Sequence, residues 1–154
     1  MDGIDRKICG ILQSDGRATS SEIATAIGVS VSTANDRVRR LVSNGAIRSF
    51  RAILDNQAVG ADFCCFLFID MVYDGEQDAV DALSGRPEVL ELHHVSGPHS
   101  YLAKVRVTDA AAIQEFVQNV VKPLKAVTRT ETVFSMMVAK ETTEVLVGSA
   151  NVDS

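Results

Sequence analysis

Cysteine is scarce in this chain, and its spacing gives no sign of a metal site. The 154 residues include three cysteines, Cys9, Cys64 and Cys65, an odd number without the paired spacing that zinc sites require. Cys64 and Cys65 are adjacent within a pattern typical of a strand, where neighbouring side chains point to opposite faces. We therefore expect buried, reduced thiols, no metal ion and no cofactor.

Long hydrophobic runs are also missing. The longest apolar run, Phe63 to Ile69, is far shorter than the roughly 20 residues that a membrane-spanning helix needs. The first residues are acidic and amphipathic, whereas a secretory signal has a basic segment followed by an apolar one. These features predict a cytoplasmic protein without a membrane partner.

The sequence has no familiar catalytic pattern. A Ser-His-Asp arrangement, a Cys-His arrangement and a phosphate-binding loop are all absent. The three histidines are His93, His94 and His99. The adjacent pair diverges if the segment is a strand, and a lone strand histidine is usually structural. We expect neither catalytic residues nor an enzymatic activity.

A helix-turn-helix pattern is present across residues 19–40. Thr19 and Glu22 have the spacing of a capping box, Gly28 can end that first helix, and Ser30 can cap a second one. The apolar stripe of the second helix is Ala34, Val38 and Leu41. Its polar residues can meet base edges and phosphates in the major groove of DNA. These candidate DNA-binding residues are Ser30, Ser32, Thr33, Asn35, Asp36, Arg37, Arg39 and Arg40.

The flanking segments favour a DNA-binding domain over a plain helical hairpin with a solvated charged face. A preceding amphipathic helix, opened by Asp2 or Asp5, completes a three-helix core. Its apolar residues are Ile4, Ile8, Ile11 and Leu12. After a stop at Asn44-Gly45, Ile47 to Leu54 alternates apolar with polar residues and is predicted to be a strand, either a wing or a linker.

Charge is distributed unevenly along the chain. The net charge of the whole is -5, yet residues 1–51 contain eight Lys or Arg and five acidic residues, a local charge of +3. The remainder has seven basic and 15 acidic residues, a charge of -8. Phosphate attracts the first part and repels the second, so we expect double-stranded DNA to be bound through the N-terminal end.

From Ala61 onward the pattern changes to alternating strands and helices. Strands are predicted at Phe63–Val72, Val89–Ser96, Tyr101–Val107 and Thr128–Ala139, with helices at Asp78–Leu83 and from Thr108 or Asp109 to near Pro123. This order is βαββαβ, a ferredoxin-like split. Residues after Lys140 have no firm pattern, and Gly148–Ser154 is predicted to be a frayed tail.

Both faces of the first and the last predicted strand are apolar. Phe63, Cys65 and Leu67 alternate with Phe66 and Phe68 in the first of these strands. Two helices can cover only one face of a four-stranded sheet, so the other face needs a partner. In this sequence the simplest partner is a second copy of the chain, and we expect a homodimer.

Taken together, the residues resemble the leucine-responsive regulatory protein (Lrp/AsnC) family over nearly the whole chain. The matching stretches are Ile4-Asp5-Arg6-Lys7-Ile8, Asp15-Gly16-Arg17, Gly28-Val29-Ser30-Val31-Ser32, Arg37-Val38-Arg39-Arg40-Leu41, Gly45-Ala46-Ile47, and Val95-Ser96-Gly97 followed by Tyr101-Leu102. The resemblance implies an α+β transcriptional regulator. Its N-terminal winged helix-turn-helix (1–50) and linker strand (51–60) would precede a ferredoxin-like effector-binding and oligomerisation domain (61–140) and a C-terminal tail (141–154).

The resemblance also implies a small-molecule effector, commonly an amino acid bound between sensing domains, and dimers that assemble further into octamers. Many relatives have a Gly-Asp-x-Asp-Tyr loop where this chain has Gly97-Pro98-His99-Ser100-Tyr101, without the two acids. By position, the effector site would comprise Gly97, Pro98, His99, Ser100, Tyr101, Thr130 and Thr132. The alternative is a strand turn with surface threonines. Effector binding would favour one arrangement of dimers and so change the spacing of the recognition helices.

Two other functions remain open at this point. An architectural DNA-binding protein would use the same helix without an effector. Some decarboxylases of haem biosynthesis resemble this two-domain arrangement, with His93, His94 and His99 as candidates for acid-base chemistry.

Overall fold

The computed structural model describes residues 1–148. They form two compact units, one comprising Met1–Ile53 together with the chain from Lys140 onward, and the other comprising Leu54–Ala139. Within the described residues, no helix has the length and hydropathy to cross a membrane.

The N-terminal unit contains three helices, α1 (Gly3–Ser14), α2 (Ser20–Ile27) and α3 (Val31–Ser43). Their apolar stripes meet in one core, as the spacing of those residues predicts. The buried members of this core are Ile8, Ile23, Ala24, Ala34 and Leu41. The predicted three-helix arrangement is therefore confirmed.

The segment after α3 is not a strand, contrary to the prediction for residues 47–54. The Ile47 amide donates to the Leu41 carbonyl at 2.9 Å, and the Ile47 side chain packs against the helical core. Residues 48–54 are exposed and have no strand structure. A strand needs a neighbour to accept its backbone hydrogen bonds, and residues 1–148 supply none for this segment.

The chain from Lys140 to Gly148 contains no helix or strand, but it is hydrogen-bonded to α1. The Gln13 amide donates to the Val145 carbonyl at 2.9 Å, and the Val145 amide donates back to Gln13 Oε1 at 2.8 Å. Arg6 donates to the Gly148 carbonyl at 2.7 Å. Most of the predicted frayed tail, residues 149–154, lies outside the described residues.

The second unit has the predicted βαββαβ order. Its elements are β1 (Phe63–Met71), α4 (Glu76–Ser84), β2 (Val89–His94), β3 (Tyr101–Val107), α5 (Ala110–Phe116) continued by a π-helical turn (Val117–Val121), and β4 (Val127–Phe134). The strands form one antiparallel sheet in the order β2-β3-β1-β4. The ferredoxin-like fold is thus confirmed.

Three strands end earlier than the sequence pattern predicts, β1 by one residue, at Met71 in place of Val72. β2 ends at His94, not Ser96, because the Val95 amide donates to the Ser100 carbonyl and begins the turn into β3. β4 ends at Phe134, not Ala139, and is followed by one further hydrogen bond to β1, from the Ser135 amide to the Cys64 carbonyl at 3.0 Å. Met136 beyond that end is 95% exposed.

The sheet has one covered and one uncovered face. Leu67 on β1 and Val105 on β3 face the helices and pack against Leu83 of α4 and Phe116 of α5. The alternate residues form the outer face, whose apolar members include Phe66, Phe68, Leu102 and Val133. This is the asymmetry that the two-sided apolar strands predicted.

The cysteines are unpaired, but only two of them are buried. Cys64 and Cys65 lie inside the second unit, and burial raises the pKa of the Cys65 thiol to about 11. Cys9 is partly exposed on α1, so the expectation of three buried thiols is wrong at that position.

Candidate functional site

The turn between α2 and α3 fixes the direction in which α3 leaves the core. Thr19 and Glu22 form the predicted capping box, with the Thr19 amide donating to Glu22 Oε2 at 2.7 Å and the Glu22 amide donating to Thr19 Oγ1 at 3.3 Å. Gly28 ends α2 in the left-handed region, with φ of +73°, a conformation that glycine adopts without strain. The helix-turn-helix geometry therefore follows from local sequence.

The N-terminus of α3 presents a cluster of hydroxyl groups to solvent. Ser30 is the N-cap, and its Oγ accepts a hydrogen bond from the Thr33 amide at 3.1 Å. The same Oγ lies 3.0 Å from Ser32 Oγ and 2.7 Å from Thr33 Oγ1. All three residues are exposed. A helix N-terminus carries a partial positive charge, which favours a phosphate nearby.

The solvent-facing side of α3 holds four of the candidate DNA-binding residues. Ala34 and Leu41 bury the opposite side. The Arg39 side chain is 74% exposed, and its guanidinium lies 4.0 Å from the Asp36 carboxylate, a long contact between two exposed groups. The exposed set is Ser32, Asn35, Asp36 and Arg39. It can meet DNA without rearrangement of the helix.

Arg37 and Arg40 are placed differently from Arg39, because both are paired with acids of α1. Arg37 Nη1 donates to Asp2 Oδ2 at 2.7 Å and to Asp5 Oδ1 at 2.8 Å. Arg40 Nη2 donates to both Asp5 oxygens, at 3.1 Å and 3.0 Å. The sequence pattern assigned Asp2 and Asp5 only a capping role, which they also fulfil. Nothing in their spacing along α1 reveals that they meet arginines more than 30 residues away.

These ion pairs shift the pKa values of the two acids. The hydrogen bond from Arg37 lowers the pKa of Asp2 to about 2. Burial acts to raise the pKa of Asp5, but hydrogen bonds from Arg37 and from the Asp2 amide outweigh it and the net shift is downward. Both carboxylates are therefore ionised at neutral pH.

The predicted effector residues begin in the β2–β3 turn, where His99 is held against β1. His99 Nδ1 lies 3.1 Å from Asp70 Oδ1, and its ring centroid is 4.9 Å from that of Phe68. Ser100 Oγ accepts from the Met71 amide at 3.2 Å, which ties the turn to the end of β1. Asp70 and Phe68 belong to the outer face of the sheet, so His99 lies at the margin of that face.

Tyr101, Thr130 and Thr132 lie on the helix-facing side instead. In the sheet register Tyr101 is opposite Ile69, and Ile69 is opposite Thr130. The Tyr101 hydroxyl donates to Glu76 Oε1 at 2.8 Å; burial, followed by this carboxylate, raises the pKa of Tyr101. Within one chain, the candidate effector residues therefore divide between two faces of the sheet.

Comparison with known proteins agrees with this architecture. The family model of the Lrp/AsnC ligand binding domain matches residues 64–145, and that of a winged helix-turn-helix DNA-binding domain matches residues 1–48. The chain belongs to the Lrp/AsnC family. Its homologues are transcriptional regulators with a helix-turn-helix domain, so this Lrp/AsnC protein is a DNA-binding transcriptional regulator and not an enzyme.

The family relationship extends over almost the full length of the chain. The HTH-type transcriptional regulator FL11 of Pyrococcus horikoshii is 31% identical over 144 residues, covering 94% of this chain and 95% of its own. The regulator LrpA of Mycobacterium tuberculosis is 38% identical over 121 residues, covering 78% and 81% of the two chains.

Solved structures of family members superimpose on this chain. A transcriptional regulator of Neisseria meningitidis in complex with L-Met has a TM-score of 0.88 at 26% identity, covering 94% of this chain and 96% of its own. An AsnC family regulator of Agrobacterium tumefaciens has a TM-score of 0.88 at 30% identity, with the same coverage.

The second unit of this Lrp/AsnC protein contains two carboxylates, Asp70 and Glu76, that the sequence analysis did not include among the candidate effector residues. Asp70 lies in the middle of a strand pattern, and Glu76 precedes the predicted start of its helix. Only the pairing of β1 with β3, and the packing of α4 on the sheet, bring them to His99 and Tyr101. Both contacts join residues at least 25 positions apart.

A separate cleft of 360 Å³ lies at the other end of β3. It is lined by Arg86, Glu88, Val107, Thr108, Ala112, Glu115, Phe116, Asn119 and Val120. None of the predicted effector residues contributes to it.

Proposed function

We propose that this protein is a sequence-specific regulator that acts in the cytoplasm, reads DNA through the exposed face of α3, and changes its DNA affinity when an amino acid binds at the β2–β3 turn. The observation that carries the DNA part is the solvent-facing set Ser32, Asn35 and Arg39 on a helix whose other side is buried. An asparagine can bond adenine through two atoms, an arginine can do so with guanine, and a serine can bond several base edges.

Ser30 and Thr33 complete the proposed interface from the N-terminus of α3. Their hydroxyls and the helix dipole favour a DNA phosphate at that end, where recognition helices commonly enter the groove. The positive charge of residues 1–51 supports the same orientation. Arg37 and Arg40 are left out of this interface because Asp2 and Asp5 already hold them.

The effector part rests on the pair formed by His99 and Asp70 at the turn. An α-amino acid carries an ammonium and a carboxylate; the Asp70 carboxylate can accept hydrogen bonds from the ammonium, and an N–H of the His99 ring can donate one to the carboxylate. Asp70 can accept the ammonium, which compensates for the absence of acids from the turn itself. The Neisseria meningitidis relative that was solved with L-Met supports the choice of an amino acid.

The proposed assembly is a homodimer that associates further, up to an octamer. Its support is the outer sheet face, where Phe66 and Phe68 are only partly buried and Val133 is 43% exposed. Apolar surface of this kind on a sheet is typical of an interface. The effector turn lies at the margin of that face, so an effector bound there can act on the association of copies.

The experiment combines DNA binding with a panel of the common amino acids. Full-length protein is titrated against a duplex selected from a randomised library and against unselected duplexes, and its thermal unfolding is measured with each amino acid. We expect the selected duplex to be preferred and at least one amino acid to raise the melting temperature and change the affinity for DNA. Asp70→Asn should remove most of that increase, whereas Glu76→Gln, on the other face of the sheet, should keep it.

Each part of the proposal can fail separately. Binding that ignores both DNA sequence and amino acids would identify an architectural protein. Sequence-specific binding without any amino-acid response would leave the DNA assignment standing and remove the effector assignment. An effector response lost in Glu76→Gln and retained in Asp70→Asn would move the site to the helix-facing side of the sheet.

A further inference from the structure

Asp5 is a buried carboxylate with more partners than a helix cap requires. It is 3% exposed, and its two oxygens accept hydrogen bonds from Arg37 and Arg40, in addition to the capping bond that Oδ2 accepts from the Asp2 amide at 3.2 Å. Removing water from a carboxylate is costly unless charged donors replace it. The two arginines meet that requirement, so the conformation of α3 and the ionisation of Asp5 depend on each other.

The arginines of α3 divide into two groups by position around the helix. At 100° per residue, Arg37 and Arg40 lie about 60° apart on the flank that faces α1, whereas Arg39 lies about 100° or more from both of them. The exposed fraction of the side chain is 22% for Arg37, 56% for Arg40 and 74% for Arg39, so the pairing with Asp5, not burial, distinguishes Arg40 from Arg39. Asp2 adds a second carboxylate on the Arg37 side at 2.7 Å. Two of the three positive charges of α3 are thereby matched by acids of α1.

We infer that Asp5 is a positioning residue for DNA recognition, which holds Arg37 and Arg40 against α1 and leaves Arg39 to meet the DNA. This inference rests on the proposed placement of the exposed face of α3 in the groove. The pairing has two consequences. It fixes the rotation of α3 about its axis, and it keeps two mobile guanidinium groups from binding phosphates of any sequence. Asp5 therefore raises the preference for a specific site over other DNA.

The salt dependence of binding separates this role from a purely structural one. Each phosphate neutralised by a protein cation contributes about 0.9 to the slope of log affinity against log salt concentration. A variant that merely destabilises the helices loses affinity without gaining phosphate contacts. A variant that releases Arg37 and Arg40 gains such contacts, so its slope becomes steeper.

The variants are Asp5→Asn, Asp2→Asn and Arg39→Ala, measured as full-length protein on the selected duplex and on unselected duplexes over a series of salt concentrations. For Asp5→Asn we expect roughly tenfold weaker binding to the selected duplex, tighter binding to unselected DNA, and a slope steeper by about one to two. For Arg39→Ala we expect a slope flatter by about one.

Asp2→Asn keeps the test valid if Asp5→Asn does not fold. Asp2 is half exposed, and asparagine is as good an N-cap as aspartate, so α1 remains capped while the charge opposite Arg37 is removed. We expect a smaller change in the same direction as for Asp5→Asn. Thermal unfolding of each variant confirms that a folded protein is being titrated.

The proposal is overturned if both aspartate variants fold and retain the wild-type slope and the wild-type preference for the selected duplex. It is also overturned if Arg37→Gln flattens the slope by about one, since Arg37 would then be in contact with a phosphate. Failure of the proposed placement of α3 has a different signature, an unchanged slope in Arg39→Ala. The steeper slope of Asp5→Asn can be measured on unselected DNA alone, so it does not depend on sequence preference.

Discussion

The two units of this chain differ in how much of their apolar surface they bury within one chain. In the N-terminal unit three short helices bury their apolar stripes against one another, and capping boxes satisfy the first turns of α1 and α2. In the second unit the helices cover one face of the sheet, and Phe66, Phe68 and Val133 remain at least partly exposed on the other. One chain thus buries the apolar stripes of the N-terminal unit, whereas the outer sheet face of the second unit stays uncovered and is where we propose that a second copy binds.

The largest expected effect comes from a substitution on the outer sheet face of the second unit, the face that one chain leaves uncovered. Phe66→Asp places a carboxylate at the centre of the outer face, where burial against another copy would cost several kcal/mol. We expect light scattering to give the mass of one 16.5 kDa chain. Affinity for the selected duplex should fall about 100-fold or more, because paired recognition helices no longer act together.

Val59→Asp is the matched control for this prediction. Val59 is also exposed in the second unit but lies in the segment before β1, outside the sheet. We expect it to retain the wild-type mass and DNA affinity. If Phe66→Asp still forms a dimer, the outer face is not the interface.

An intermediate effect is expected in the N-terminal unit when its acids are protonated. The pKa values of Asp2 and Asp5 are lowered in the folded protein, Asp2 to about 2 from an ordinary value of 3.8. A lowered carboxyl pKa contributes stability above the unfolded pKa, and this stability is lost as pH falls through the folded pKa. We therefore expect urea unfolding of the N-terminal unit to move to lower urea between about pH 4 and pH 2.

The double variant Asp2→Asn with Asp5→Asn provides the control, since it has no carboxylates at these positions to titrate. Its stability should be lower than that of the wild type at neutral pH and should change less between the two acidic values. A variant with the same acid sensitivity as the wild type would show that other carboxylates cause the loss.

The sequence predicted the parts of this protein that depend on local chemistry. Thr19 with Glu22, Gly28 and Ser30 determine a helix-turn-helix because caps and turns act within a few residues. The order of strands and helices along the chain followed from periodicity, and the family resemblance supplied the expected functional class. Those patterns could not reveal that Arg37 is held by Asp5, because this contact depends on how two helices pack.

The same limit explains the errors at the ends of elements and the division of the candidate effector residues between two faces of the sheet. The alternating residues after Ile47 satisfy the pattern of a strand, yet a strand also needs a backbone partner, which one sequence does not specify. The candidate effector residues are close in sequence or register, but the pleat of the sheet separates His99 with Asp70 from Tyr101 with Glu76. Side-chain direction, not proximity along the chain, decides which of them share a site.

The smallest expected effect concerns the contact between α1 and the segment from Lys140 to Gly148, which belongs to the N-terminal unit. Gln13→Ala removes both hydrogen bonds between α1 and Val145. A typical hydrogen bond contributes about 0.5 to 1.5 kcal/mol to stability, and exposed ones lie at the low end of that range. We therefore expect Gln13→Ala to lower the free energy of unfolding by about 1 kcal/mol and the melting temperature by a few degrees. Lys7→Ala, an exposed substitution on the same helix, should have a free energy of unfolding within about 0.5 kcal/mol of the wild type.

Hydrogen exchange gives a second measurement, since the Val145 amide should lose protection in Gln13→Ala and keep it in Lys7→Ala. Equal stability and equal exchange in the two variants would mean that the chain after Lys140 is not held on α1 in solution, and the N-terminal unit would then be complete without it.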